Sequence, residues 1–324
     1  MNIFVVINKQ NINLIKSVNV YCRRYKPLKK DETMNKVLLI GNDINNINNP
    51  ASWEDLLKRI VKINGNNINV STEKPFPLLY EEIYLTALRS NNIEEDELKS
   101  RIADIISEIE PNEIHMDLLK MDVRDYITTN YDYVLQKQLL GNNSTKELNN
   151  NGLIRETKYS VYRHNSIMSK NFWHIHGEVN VPKSITLGFE HYGGQLQQFR
   201  NYTVSGTNYK SKKINNLSLH KRLKEKLVND DSWIDFFFKD EIHIIGLKLD
   251  YVETDLWWLL TNRARFQLEK SNNFQSKIIY YCPQKLKDLH KTEIMKANDI
   301  EVKFLNLEGK EFYKEVINMI NNGL

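Results

Sequence analysis

Cysteine is nearly missing from this chain of 324 residues, with only Cys22 and Cys282 present. Two thiols cannot build a four-Cys zinc site, and a disulfide framework is not expected from them. A reducing cytoplasm is the simplest setting for such a composition. Long apolar runs are missing too: none approaches the ~20 residues that span a bilayer. The opening stretch, 1–6, is apolar but short and lacks a preceding basic region, so it reads poorly as a signal peptide. Neither charge sign dominates. Lys and Arg number 45 against 41 Asp and Glu, a net +4 that gives no case for nucleic acid as a direct partner. No GxxxxGK[ST] loop occurs, which removes the P-loop nucleotide hydrolases. What remains is a globular composition, 41% apolar and 27% charged, enough for a sizeable core in one large or two small domains.

Residues 1–33 sit apart from the rest. The stretch 18–24 reads as a strand, 23–30 is basic and Pro-containing like a linker, and Met34 precedes a clean strand at 36–40. The segment is therefore either an N-terminal extension or an edge strand with its loop. Ser52 can cap a helix with Asp55 as reciprocal partner, and Trp53, Leu56, Leu57, Ile60 and Val61 follow at helical spacing. Further helices are predicted over 81–89, over 98–109 (stopped by Pro111) and over 112–121. Four helices exceed the need of one crossover, so about 53–121 is predicted to be a helical insertion. Strands are predicted at 126–128, 173–175, 184–187, 242–245, 277–281 and 302–305. The helices between and after them fall at 132–140, 190–202, 254–266 and 311–320, with a polar loop at 142–151. This alternation predicts one domain, 34–324, of the α/β class: a Rossmann-like parallel sheet with helices on both faces.

Four polar motifs follow strand-like runs, and a parallel sheet gathers the carboxyl ends of its strands. Gly41-Asn42-Asp43 permits a tight turn whose N–H groups can hold a pyrophosphate, although the full GxGxxG pattern is absent and an ordinary strand-to-helix turn explains it equally well. In Thr129-Asn130-Tyr131-Asp132, the Asn130 amide both donates and accepts, which suits a ribose hydroxyl and a water. Asp132 reads first as a cap of the next helix. Alternation places His174 and His176 on one side of an extended segment. A lone His is most often structural. Here Gly177 leaves room for a ribose, and an imidazole that titrates near neutrality can serve as a base. A metal pair is the lesser alternative, because no third ligand clusters with the two histidines. Gly246-Leu247-Lys248-Leu249-Asp250 is a second strand-to-loop turn. Trp257 and Trp258 after it read as core.

In this order, the motifs resemble the sirtuin-like domain family, in the branch found in bacterial NAD-hydrolysing defence proteins. That family carries a GAG or GNG turn, a T(N/Q)N(Y/I)D-type strand end, an HG pair and a GxSL-type turn. Gly41-Asn42-Asp43, Thr129-Asn130-Tyr131-Asp132, His176-Gly177 and Gly246-Leu247-Lys248-Leu249 stand in those places, across roughly 34–307. The resemblance implies an NAD site with NAD as substrate and no metal. It implies that Asn130 contacts the nicotinamide ribose and positions the attacking water, and that His176 is the general base. Gly41, Asn42 and Gly246 would approach the dinucleotide backbone, with Asp43, Thr129, Asp132, Leu247 and Lys248 at the remaining cofactor-contacting positions. Asp43 replaces a second glycine and would repel a pyrophosphate. Lys248 replaces a small polar residue and could meet a phosphate, water or Asp43. The missing four-Cys module counts against deacylation. The expected activity is NAD glycohydrolysis by a cytoplasmic effector of an antiphage abortive response. Control is expected through a homo-oligomer or a separate sensor or ATPase partner, with no membrane involved. The alternative is a non-catalytic subunit that binds NAD or ADP-ribose within a larger defence assembly.

Overall fold

The first strand, β1 (Lys36–Ile40), is a Lys-Val-Leu-Leu-Ile run with four consecutive buried side chains, as a strand covered on both faces requires. A computed structural model describes residues 34–47, 53–63, 67–71, 73–141, 145, 148–156, 158–269 and 275–323. The expected strand at 18–24, the linker after it and the Ser52 cap lie outside the described residues.

Around β1 the sheet is completed by β2 (Asp125–Thr128), β3 (Asn165–Ile167), β4 (Lys170–His174), β5 (Glu241–Ile245), β6 (Lys277–Pro283) and β7 (Ile300–Leu305). Their spatial order is β3-β4-β2-β1-β5-β6-β7. Every pairing is parallel except β3 with β4, an antiparallel edge hairpin that departs from the all-parallel expectation. The chain runs outward from β1 to one side, then returns to β5 and runs to the other. The gap above β1 and β5 is therefore the topological switch point, where open α/β sheets bind ligands. Register makes this specific. Ile40 pairs with Thr128 on one side and Ile245 on the other, and Thr128 pairs with His174, so four motif-bearing strands end side by side.

The helices are α1 (Trp53–Ile63), α2 (Phe76–Asn91), α3 (Glu95–Ser107), α4 (Glu113–Lys120), α5 (Val134–Leu140), α6 (Phe189–Arg200), α7 (Leu219–Lys224), α8 (Trp233–Phe236), α9 (Thr254–Leu268), α10 (Leu289–Ala297) and α11 (Gly309–Asn322). Alternation along the strands sends Val37, Leu39, Ile127 and Ile244 into one core with Leu256 and Leu260 of α9. Leu38, Ile40 and Tyr126 face the other core, against Leu118 of α4 and Val316 of α11. The sequence missed α7, α8 and α10, which are short or weakly patterned. It also placed a strand at 184–187, where the chain makes a single 3₁₀ turn (Pro182–Ser184) and then continues without ladder bonds. Ile185 and Leu187 are apolar because they pack into a third core, with Leu79, Ile83 and Ile102 of the insertion.

That third core makes α1, α2 and α3 a helical unit beside the sheet; α4, counted within the expected insertion of 53–121, packs instead on the sheet through Ile114 and Leu118. A buried polar clamp adds to the unit. His191 of α6 meets Glu95 at 2.6 Å and Lys99 at 3.0 Å, both on α3. Burial pushes Lys99 down to about 8, against the pull of Glu95.

Gly41 is where β1 and β5 come closest beyond their last ladder pair. Its N–H donates to Ile245 O at 3.0 Å, and Asp43 N–H donates to Gly246 O at 3.0 Å. A Cβ on Gly41 would overlap the Gly246 carbonyl oxygen and Leu247 Cα. These are backbone atoms that no rotamer change can move aside. Gly41→Ala is therefore expected to cost about 1–3 kcal/mol of stability, read as a lower denaturation midpoint at unchanged slope. An unaltered midpoint would show that the two turns do not approach this closely.

Candidate active site

The crevice at the switch point has two lobes that share a wall. The first, about 520 Å³, is lined by Asn42, Asp43, Thr129, Tyr131, His176, Tyr192, Gly246, Leu247, Lys248 and Glu253. Its outer wall comes from the insertion: Leu57, Val70, Phe76 and Leu79. The second, about 460 Å³, lies toward β6 and β7, with Tyr280, Cys282, Phe304 and Tyr313. Asp43, Gly246, Leu247, Lys248 and Asp250 face both lobes. Of the ten residues expected from sequence, seven line this crevice. Gly41, Asn130 and Asp132 do not.

Gly41 lies beneath the crevice, packed against the Gly246 carbonyl and Leu247, which do line it. Asp132 is committed to structure: its Oδ1 accepts from Val134 N–H at 3.1 Å and its Oδ2 from Asn45 Nδ2 at 2.9 Å. The first bond closes a tight turn just ahead of α5; the N-cap position itself falls on Tyr133, which makes no side-chain cap bond, so the cap expected of Asp132 is one residue out of place. The second ties the 3₁₀ turn Asn42–Ile47 in place. In the same turn, Asn45 also donates to Asn42 Oδ1, and its own Oδ1 meets His115 of α4 at 3.1 Å. Asp132 thus positions the Asn42 turn and does not reach the cavity.

Asn130 lies between two cavity-lining neighbours. Its N–H donates to Thr128 Oγ1 at 3.0 Å, and its carbonyl accepts from His174 Nδ1 at 2.8 Å. The Asn130 Oδ1 is sealed from solvent and has no hydrogen-bond partner. A buried acceptor left unmade is costly and calls for a donor the bare chain does not supply.

The two histidines part company. Alternation ends with β4 at His174, and the chain then turns. His174 bonds to the Asn130 carbonyl and to Gln136 Nε2 at 2.7 Å. Burial, partly offset by the Glu178 charge, pushes its pKa down. It is a neutral strut. His176 instead faces the cavity edge and places Nε2 3.0 Å from Asp255 Oδ2, with its ring edge-on to Tyr192. Gly177 has φ +102, and the space beside it is filled by the Ser184 backbone. It serves the turn and leaves no room for a ribose, contrary to the expectation.

Asp255 sits in the first turn of α9, where the helix N-terminus favours a carboxylate. Burial alone would depress His176. The Asp255 charge, its hydrogen bond and the Glu253 charge outweigh that and hold the ring above its ordinary value. With Nε2–H donating to Asp255, Nδ1 is the nitrogen left as acceptor.

Lys248 Nζ lies 4.0 Å from Asp43 Oδ1. The contact is loose, since the Lys248 side chain is 74% exposed. Burial raises the Asp43 pKa, and Lys248 pulls it back. Sequence reasoning missed Glu253 and Asp255 as site residues. Their signal was present: two acids at the start of the helix that follows the Gly246 turn, hence at the carboxyl edge of β5.

With this geometry in view, the family model for the SIR2-like domain matches residues 124–228. The matched stretch contains β2, Thr129 to Asp132, β4 and His176. No curated protein matches the chain. Among the described residues, no helix is long and apolar enough to cross a membrane.

The Asp255 pair fixes a pH dependence. A group whose folded pKa is raised contributes its full stability below the unfolded value, 6.5, and loses it as pH rises through the folded value. Asp255→Asn should therefore lower the His176 titration midpoint seen by NMR. The stability gap between wild type and variant should be widest at acidic pH and close toward alkaline pH. Identical His176 midpoints in the two proteins would contradict the pairing.

Proposed function

We propose that this chain, which carries a SIR2-like domain, is an NAD glycohydrolase that cleaves NAD to nicotinamide and ADP-ribose. SIR2-like domains are in general NAD-dependent enzymes. One observation carries the reading: a buried, carboxylate-oriented imidazole faces a two-lobed crevice at the switch point of a Rossmann-like sheet. Two lobes joined at a glycine turn suit a dinucleotide, with one nucleoside on each side and the pyrophosphate crossing at Gly246. The His176 lobe takes the nicotinamide riboside.

The chemistry asks little of the protein. The bond between C1′ of the ribose and the pyridinium nitrogen breaks with its electron pair going to nitrogen, so nicotinamide leaves neutral. The sugar passes through an oxocarbenium-like transition state. Water attacks C1′ and gives up a proton, which His176 Nδ1 accepts directly or through a ribose hydroxyl. Asp255 holds the ring and stabilises the imidazolium that forms, as an acid behind a catalytic His does. The unpartnered Asn130 Oδ1, beside the cavity wall, finds its donor in that water or in a ribose hydroxyl. The balance is NAD⁺ plus water giving nicotinamide, ADP-ribose and a proton.

The two-cysteine content supports hydrolysis over deacylation. Unchecked turnover would drain a vital cofactor, so the activity belongs under control by self-assembly or by a separate sensor or ATPase subunit. An effector of antiphage abortive infection in the cytoplasm fits that need. A second reading has its own support. Asp43 places a carboxylate where the pyrophosphate crosses, and Asn130 does not line the cavity. Both features suit a subunit that binds NAD or ADP-ribose without turnover.

Incubation with NAD, alone and with co-purifying partners, should yield nicotinamide and ADP-ribose by chromatography. His176→Ala and Asn130→Ala should each lower the rate by roughly a hundredfold or more with the fold intact. Tight NAD binding with no nicotinamide released under any partner condition would favour the binding subunit, and wild-type rates in both variants would defeat the catalytic assignment.

A further inference from the structure

Glu253 has no part in the chemistry described above, yet it faces the same lobe as His176. It is the residue just before α9, and its Oε2 is sealed from solvent with no hydrogen-bond partner. The charged groups around it are His176, Asp255, Asp250 and Lys291. Tyr131, Tyr192 and Tyr280, from three other elements, also feel its charge. Each nearby cation makes its hydrogen bond elsewhere. His176 has its Nε2 on Asp255. Lys291 donates to Lys248 O at 3.3 Å and lies over the Tyr251 ring. His176 and Lys291 offset the burial of the Glu253 carboxyl only in part, while Asp255 and Asp250 add to it, so with no cation paired to it directly the carboxyl takes up a proton more readily.

We propose that Glu253 is the counter-charge for the cationic pyridinium of the dinucleotide, so that this lobe selects the oxidised cofactor over its reduced, uncharged form. The inference rests on the dinucleotide reading above and adds the determinant of its redox-state specificity. In the empty site burial pushes the Glu253 pKa up to about 8, so the carboxyl is mostly neutral at pH 7. A pyridinium entering the lobe supplies the missing positive charge. Glu253 then loses its proton to solvent and pairs with the ring. A dihydronicotinamide carries no charge, so it leaves the carboxyl protonated and gains nothing. The ordering of groups is consistent: Glu253 stands on the His176 side, and the exposed Lys248 ammonium stands beside Asp43 where the pyrophosphate crosses.

Calorimetry on the full chain tests this without relying on turnover. The probes are carba-NAD, a carbocyclic analogue with the pyridinium charge but no cleavable glycosidic bond, and NADH. Wild type should bind carba-NAD at least tenfold more tightly than NADH at pH 7, with release of close to one proton seen from buffers of different ionisation enthalpy. Its carba-NAD affinity should rise by up to roughly tenfold per pH unit on approaching pH 8, while NADH affinity stays flat. Glu253→Gln should abolish the proton release and bring the two affinities together, with NADH binding unchanged as the sign of an intact fold. Should that variant not fold, the wild-type pH profiles decide, and a flat carba-NAD profile overturns the proposal. Proton release that persists in Glu253→Gln would assign it to His176 and also overturn it. If neither dinucleotide binds, the dinucleotide reading falls and takes this inference with it. Glu253-dependent selectivity without nicotinamide release from NAD would uphold this inference while the hydrolase reading fails.

Discussion

The contact between two strand-to-loop turns, at Gly41 and Gly246, is the constraint on which the rest of the site depends. The Gly41 turn donates two backbone hydrogen bonds to the Ile245 and Gly246 carbonyls, and each turn occupies space a side chain on the other would need. Gly246 has φ +65, and a Cβ there would come within 2.7 Å of Ile44 Cγ1. Glycine is required at Gly246 by conformation and at Gly41 by crowding. The interlock sets the floor of the crevice, and it divides the space above the sheet into two lobes. It also fixes the positions from which Asp43 and Lys248 look across at each other. A looser junction would leave the lobes continuous and the polar groups around them unregistered.

The charges in the His176 lobe form a small closed system. Asp255 pairs directly with His176 and Lys291 donates to Lys248 O, so Glu253 feels both cations without a direct bond to either. The lobe therefore carries an unmet demand for positive charge, alongside an unmet demand for a hydrogen-bond donor at Asn130 Oδ1. Both demands are unusual in a protein interior, where buried polar groups are satisfied in the great majority of cases. Glu253 lines the His176 lobe, and Asn130 lies behind it between the cavity-lining Thr129 and Tyr131. In the proposed reading a cationic ring answers the first demand and a ribose hydroxyl or water the second.

Much of the fold was legible because strongly patterned segments betray themselves. The run Lys36–Ile40 and the run Glu241–Ile245 are too apolar for anything but buried strands, and the interval between β1 and β2 is too long for a single crossover. The site was less legible, for reasons that can be named. Seven of the ten expected residues line the crevice because strand ends converge whatever the side chains are. Gly177 misled because the need for its φ and the need for an open approach to a ligand look alike in sequence. His174 and His176 misled because alternation holds only while the strand continues, and β4 stops between them. The place of Asp255, at the start of the helix after the Gly246 turn, was legible, but its pairing was not, because its partner is 79 residues away in sequence. The strand expected at 184–187 failed since burial against a neighbouring core and burial in a ladder leave the same apolar trace.

Under the proposed hydrolase reading, Asp43 is the residue that sets binding and catalysis against each other. A carboxylate where a pyrophosphate crosses opposes affinity, and its raised pKa records the burial that makes it worse. Lys248 opposes this only weakly, because an exposed ammonium at 4.0 Å is well screened. A site built solely to hold the dinucleotide would gain from a glycine or an amide there. A site that must let ADP-ribose go after the bond is broken gains from the carboxylate. Loss of nicotinamide removes the cation that satisfied the His176 lobe and leaves the repelled pyrophosphate as the main remaining anchor. In the proposed hydrolase the Asp43 repulsion acts on both complexes, and only the substrate complex has a pyridinium contact to offset it, so the product leaves more readily, which is the ordering that turnover requires.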